Sequence, residues 1–248
     1  MPSSPSKPAE ERRARLARLI SVPFAHRGLH GDGRIENSRA AFTAAIAKGH
    51  GIELDVQVGG KEGQAFVFHD ATLDRLTDRS GSIDALDWES LLAVRLGGSD
   101  ETIPALPEIL ALIGGRAPLL IEVKTRGHAV RRLCRSVAGA LVGYEGPVAI
   151  MSFNPEVGHW FAHHAPDILR GLVVTEENKK GPRGQVERTL ALWRSRADFL
   201  AYDIRDLPSA FAARGRARGV PVLTWTVRSE QDRATAAAHT DQIIYEIA

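Results

Sequence analysis

Residues 51–58 read GIELDVQV. Ile, Leu and Val predict a buried strand, yet Glu53 and Asp55 stand within it, and side chains two apart on a strand share a face. Two like charges ~4 Å apart repel by about 4 kcal/mol at an effective dielectric of 20. A buried strand tolerates this only if one carboxyl is protonated or cations sit nearby. The pattern recurs in APLLIEVK, residues 117–124, which sets Glu122 and Lys124 two apart on another apolar run. If the two strands adjoin, Glu53, Asp55 and Glu122 converge. With no cysteine in reach, such an oxygen-rich cluster suits a hard dication, Mg²⁺ or Ca²⁺. The competing reading makes each carboxylate an ion-pair partner of Lys124 or Arg27.

Strand-like runs recur along the chain: VPFAHRG from 22, GIELDVQV from 51, APLLIEVK from 117, GPVAIMSF from 146, ILRGLVVT from 168, ADFLAYDI from 197, GVPVLTWTV from 219 and DQIIYEI from 241. Helical stretches lie between most of them, such as NSRAAFTAAIAKGH, HAVRRLCRSVAGALVG and NPEVGHWFAHHA. Strands alternating with helices predict a parallel sheet, and eight such units predict an α/β fold of the (β/α)8 TIM barrel type. Its active site would sit at the C-terminal ends of the strands. Two features break the rhythm. Residues 59–105 form a long excursion after the second strand, with an extra strand, AFVFHD, and a polar loop. The chain also stops just after the eighth run, with no closing helix. A helix over 8–20, with Leu16, Leu19 and Ile20 on one face, is expected to cover the surface that a closing helix would bury. The division expected is thus a tail and helix over 1–21 and a barrel domain over 22–248.

Composition narrows the function classes. The 248 residues are 44% hydrophobic and 25% charged, ordinary for a chain with a substantial core. A net charge of +2 argues against nucleic acid or an anionic membrane as the main partner. The one cysteine, Cys134, excludes an internal disulfide and fits a reducing compartment. The N-terminus lacks a secretory pattern, and no run approaches the ~18–20 apolar residues of a membrane span. A cytoplasmic location without stable membrane insertion is expected; the oligomeric state is not legible.

Two histidines stand apart from the other seven. His26 closes the first strand in FAHRG, and His69 closes the extra strand in FVFHD. Both are placed to face the carboxylates, and two imidazoles can divide general base and general acid work near neutral pH. His30, His50, His128, His159, His163, His164 and His239 read as structural. Three carboxylates and a dication leave one negative charge; Arg27 and Lys124 convert it to one positive, which a phosphodiester monoanion would neutralise.

AHRG, ENS, ELDV, VFHDATLDRLTDRSGSI, IPALPEIL and IEVK occur in an order and spacing that resembles the glycerophosphodiester phosphodiesterase family, and MSFNPE and TWTV resemble its later motifs. The resemblance covers roughly residues 22 to 230. It implies metal-dependent hydrolysis of a small glycerophosphodiester to glycerol 3-phosphate and an alcohol. It also implies a metal on Glu53, Asp55 and Glu122, an acid–base pair of His26 and His69, and Arg27 and Lys124 on the phosphate. Glu36 and Asn37 would sit beside the site, and Phe153 and Trp225 would line the glycerol side, unless they are plain barrel packing. Ser38 stands where the family usually has Thr. Residues 59–105 match the family's small capping insertion. The ending IIYEIA departs from the usual Thr-Asp followed by Pro, so the rim at Tyr245 and Glu246 is where contacts are expected to differ. The charged loop TEENKKGPRGQ is a second unusual feature. Two other readings stay open: a lysophospholipase D acting on lysophospholipids, and a non-catalytic barrel that binds glycerophosphodiesters.

Overall fold

The computed structural model of the chain describes residues 7–59, 63–125 and 130–247. His128 and the first residues of the tail lie outside these.

Among the described residues there are nine strands: β1 (Phe24–Ala25), β2 (Gly51–Gly59), β3 (Gln64–Val67), β4 (Leu119–Val123), β5 (Val148–Ser152), β6 (Leu169–Val174), β7 (Phe199–Asp203), β8 (Val222–Val227) and β9 (Gln242–Tyr245). All except β3 run parallel, and β1 pairs with both β2 and β9, so eight strands close into a barrel. β3 is antiparallel to β2, pairing Val56 with Val67.

Outside the barrel run α2 (Arg39–Ala47), α4 (Leu106–Ile113), α5 (Val130–Ala140), α6 (Pro155–His164), α7 (Pro182–Ser195), α8 (Ala210–Ala217) and α9 (Glu230–His239), each crossing between consecutive barrel strands. Their starts follow from local chemistry. Ser38, Asn154, Ser209 and Ser229 each accept a backbone N–H of the first turn, and Asp232 completes a capping box with Ser229.

The barrel interior is a packed core of alternate strand residues, including Phe24, Leu120, Ala149, Met151, Phe199, Leu223 and Ile244. Two glycines make room for its large rings. A Cβ on Gly51 would fall 2.6 Å from the Phe24 ring, and one on Gly171 would collide with the Phe199 ring.

The N-terminal helix, α1 (Lys7–Leu19), does not stand in for a closing helix on the barrel's side. It lies under the barrel floor, where Leu16 and Leu19 join the interior cluster. Arg12 anchors it, donating to Asp198 at 2.6 Å and to the carbonyls of Pro166 and Ile168, all just ahead of β6 and β7. Parallel strands begin together at one end, so their apolar interior opens there and needs a plug. The outer face of β9 is covered differently: the Tyr245 hydroxyl meets His50 Nδ1 at 2.6 Å, and the Arg233 guanidinium lies 5.5 Å from its ring. Leu19 is fully buried, so Leu19→Ala is expected to cost about 2–5 kcal/mol. That is a drop of roughly 2–4 °C per kcal/mol for a chain of this size, read by thermal unfolding; an unchanged midpoint would refute the plug.

The excursion between β2 and β4 has its own apolar cluster. Phe66, Phe68, Leu73, Ile83, Leu91, Val94, Leu96 and Ile103 are buried together around α3 (Trp88–Leu92). No helix among the described residues is long and apolar enough to cross a membrane.

Candidate active site

Strand β2 puts Glu53 and Asp55 on its inner face, in the stretch that pairs with β4, and both are fully buried. The register pairs Asp55 directly with Glu122 of β4. Ligand oxygens of Glu53, Asp55 and Glu122 consequently lie within 4.8 Å of one another.

Cations relieve part of the repulsion. Lys124 Nζ sits 2.8 Å from Glu122 and 3.1 Å from Asp55, and Arg27 Nε sits 3.1 Å from Asp55. Asn37 adds a hydrogen bond from Nδ2 to Asp55 Oδ2 at 3.0 Å. The ion pairs expected as a rival reading therefore exist for Asp55 and Glu122, and they leave Glu53 out. Glu53 Oε2 accepts only the Arg27 backbone N–H at 3.0 Å, and its Oε1 is buried with no hydrogen-bond partner. Burial, then repulsion by Asp55 and Glu122, pushes the Glu53 carboxyl well above the usual carboxylate range. Burial also raises Glu122. Burial works the same way on Asp55, but Lys124 and Arg27 outweigh it and hold Asp55 well below that range. An orphaned carboxylate oxygen in an all-oxygen cluster is the donor chemistry that a hard dication satisfies. These residues could hold Mg²⁺ or Ca²⁺.

Two imidazoles flank the cluster. His26 follows β1, and its Nδ1 meets Glu246 Oε1 at 2.5 Å, with Nε2 turned to Glu53 at 4.0 Å. His69 follows β3, and its Nδ1 meets Asp70 Oδ1 at 2.5 Å. The segment carrying His69 is pinned by Gln57 on β2, whose Nε2 donates to the His69 carbonyl at 2.6 Å and also to the Phe68 and Asp70 carbonyls. Burial lowers both histidines below the ordinary imidazole value. Their carboxylate partners stay ionised. Hydrogen bonding from Arg75 holds Asp70 down to about 2. For Glu246, burial is opposed and outweighed by His26, His30 and Arg228, leaving it well below the carboxylate range.

A cavity of about 440 Å³ opens over these groups, with His26, His69, Arg27, Lys124, Phe153 and Trp225 in its walls. Phe153 and Trp225 meet edge to face with ring centroids 5.5 Å apart. Phe153 is 46% exposed, and Trp225 is fixed by its Nε1–H donating to the Ala201 carbonyl at 2.9 Å. Glu36 is one step back, joining Arg27 and Arg75 at 2.7 Å each.

The structure thus brings all the sequence-derived site residues to one mouth, and it adds several. Glu246, expected only to belong to a rim whose contacts differ, grips His26; the strand alternation that turns Ile244 inward also turns Glu246 inward, next to β1. Asp70 and Arg75 lie within the quoted motif but had no assigned partner. His30, set aside as structural, has its Nε2 3.9 Å from Glu246. The unusual loop after β6 is folded back instead: Ser209 and Tyr202 donate to Glu176 at 2.6 and 2.5 Å.

Residues 26–246 match the Glycerophosphoryl diester phosphodiesterase family. A glycerophosphodiester phosphodiesterase of Bacillus altitudinis is 36% identical over 115 residues, 44% of this chain, and the match spans under half (46%) of that protein's length. One from Caldanaerobacter subterraneus subsp. tengcongensis is 33% identical over 165 residues, 62% of this chain and 67% of that protein. Among solved structures, an Oleispira antarctica phosphodiesterase in complex with its product sn-glycerol-3-phosphate superposes with a TM-score of 0.80 at 24% identity, covering 91% of this chain and 93% of that one. At that identity the likeness speaks for the fold.

Proposed function

The chain belongs to the glycerophosphoryl diester phosphodiesterase family, and from that premise we propose that it hydrolyses a glycerophosphodiester to glycerol 3-phosphate and an alcohol. The observation that carries this reading is the orphaned, fully buried oxygen of Glu53 beside two imidazoles whose Nδ1 atoms are both held by carboxylates.

Glu53, Asp55 and Glu122 would hold the cation, Mg²⁺ or Ca²⁺. The chemistry supplied by such a cation is charge withdrawal from a phosphoryl oxygen and a lowered pKa for the attacking hydroxyl. The chain's own groups do the rest. Because Glu246 is ionised, the proton of neutral His26 resides on Nδ1, and its Nε2 lone pair faces the cavity. His26 is the general base that takes the proton of the attacking hydroxyl. His69, steadied by Asp70, is the general acid that protonates the departing alkoxide. Arg27 and Lys124 offset charge gathering on the phosphoryl oxygens. Asn37 and Glu36 fix the carboxylate and guanidinium they touch, and Phe153 and Trp225 take the glycerol side. The attacker is water, or the substrate's own glycerol hydroxyl, in which case a cyclic phosphate forms first.

Residues 59–105 serve as a cap over this mouth and deliver His69 to it. A water-soluble diester in a reducing cytoplasm fits Cys134, which is buried, its thiol pushed up to about 12 by burial, and so inert.

The test is an assay with glycerophosphocholine and a lysophospholipid, each with and without EDTA. Turnover of glycerophosphocholine that EDTA abolishes is expected. Faster lysophospholipid turnover would make the chain a lysophospholipase D, EDTA-resistant turnover would refute the cation, and binding without turnover would make it a non-catalytic barrel.

A further inference from the structure

His30 transfers no proton in the reaction above, yet its position is specific. Four residues beyond His26, it turns back toward the same mouth, its backbone N–H donating to the Gly28 carbonyl at 2.9 Å. Its Nε2 is buried without a hydrogen-bond partner and lies 3.9 Å from Glu246 Oε1, the oxygen that His26 Nδ1 meets at 2.5 Å. One ligand atom from each of His26, His30 and Glu246 lies within 4.8 Å of the others.

This donor set differs in kind from the carboxylate cluster next to it. Carboxylate oxygens suit Mg²⁺ and Ca²⁺, whereas imidazole nitrogens suit zinc and its neighbours. Two histidines and one carboxylate, with a position left for water, are a known ligand set for Zn²⁺. Arg228 does not block the approach entirely: its Nε holds the other oxygen, Oε2, at 2.6 Å, although its Nη2 also reaches Oε1 at 3.0 Å.

We propose that His26, His30 and Glu246 form a second cation site, selective for zinc-class ions, whose occupation switches the enzyme off. The switch rests on the reading of His26 as the general base. A neutral imidazole carries one proton, here on Nδ1 facing Glu246. A cation bound to Nδ1 takes that nitrogen's lone pair, so the proton must reside on Nε2. The ring stays neutral, but Nε2 becomes a donor and cannot accept the proton of an attacking hydroxyl. The carboxylate cluster keeps its own ion throughout.

The test is run at saturating Mg²⁺ in a His159→Ala/His163→Ala background, which removes an imidazole pair on α6, one half-buried and one exposed, whose rings stand 4.3 Å apart. Zinc is titrated by calorimetry, with glycerophosphocholine turnover measured in parallel. One zinc per chain is expected, with turnover falling in step with occupancy and not restored by excess Mg²⁺. Zinc-free turnover of His30→Ala and His30→Gln is measured first, and inhibition is read relative to each variant's own zinc-free rate. Each should weaken zinc binding and inhibition by more than the roughly 10–100-fold that losing an outer partner of a metal ligand costs.

Equal zinc affinity in both His30 variants would overturn the site, as would the absence of stoichiometric binding. Inhibition relieved by excess Mg²⁺ would place zinc on Glu53, Asp55 and Glu122 instead, and binding without inhibition would overturn the switch. Calorimetry needs no turnover. His30-dependent binding in a chain that hydrolyses no diester would uphold the site and refute only the catalytic reading.

Discussion

His26→Ala is expected to lower kcat by about 10²–10⁴-fold, the usual contribution of a positioned general base or acid, while Mg²⁺ or Ca²⁺ binding stays within error of the parent chain. The separation follows from placement. His26 touches the carboxylate cluster only at 4.0 Å, through Nε2 and Glu53 Oε2, so removing the ring withdraws no oxygen ligand. His69→Ala should behave alike, because its imidazole is held by Asp70 and not by any of the three carboxylates. The double variant is expected to be scarcely worse than either single one. When proton removal and proton delivery belong to one passage, losing either end disables the unit, and the effects do not add. Steady-state kinetics with a parallel cation-binding isotherm reads both quantities. Near-parental rates in both single variants would end the acid–base assignment, and lost cation binding would recast the histidines as ligands.

The sequence was most informative where one periodicity carried one meaning. In GIELDVQV the two-residue period of a strand puts Glu53 and Asp55 on one face whatever surrounds them. The same period in IEVK predicts that Glu122 and Lys124 meet them once the strands adjoin, and the Asp55–Glu122 register makes them adjoin. The barrel was legible because eight short apolar runs alternate with helical stretches along the chain.

What the sequence hid were contacts whose partners are remote along the chain. Glu246 lies 220 residues from His26, and its role depends on β9 closing the barrel against β1. The helix α1 was misplaced because an amphipathic face states that something must be covered, not what. Leu16 and Leu19 fit the barrel floor as well as its flank, and Arg12 decides between them through Asp198 and the carbonyls ahead of β6. His30 was set aside because a lone histidine in a loop has no sequence partner to mark it.

Glu53→Gln offers the sharpest test of the carboxylate cluster, because it should stabilise the cation-free protein while abolishing turnover. Glu53 is fully buried, one of its oxygens has no partner, and two carboxylates face it. Its folded pKa is raised, so between the ordinary carboxylate value and that raised value the folded chain binds more protons than the unfolded one. Stability then falls as pH rises through this window. The substituted amide cannot ionise, and its N–H groups can donate to Asp55 or Glu122. A gain of about 1–3 kcal/mol at neutral pH without cation is expected, the usual cost of a buried unsatisfied polar group, together with a flatter pH dependence above the ordinary carboxylate range.

Cation should reverse the order. At 100 times its Kd a bound ion adds about 2.7 kcal/mol to the parent chain, which is roughly 5–10 °C for a chain of this length, and the Glu53→Gln variant should miss most of it. Thermal unfolding of both proteins with EDTA and with Mg²⁺ or Ca²⁺ gives all four values. A variant less stable than the parent in EDTA would mean that Glu53 is already satisfied within the fold, and the case for a cation at this site would lose its physical ground.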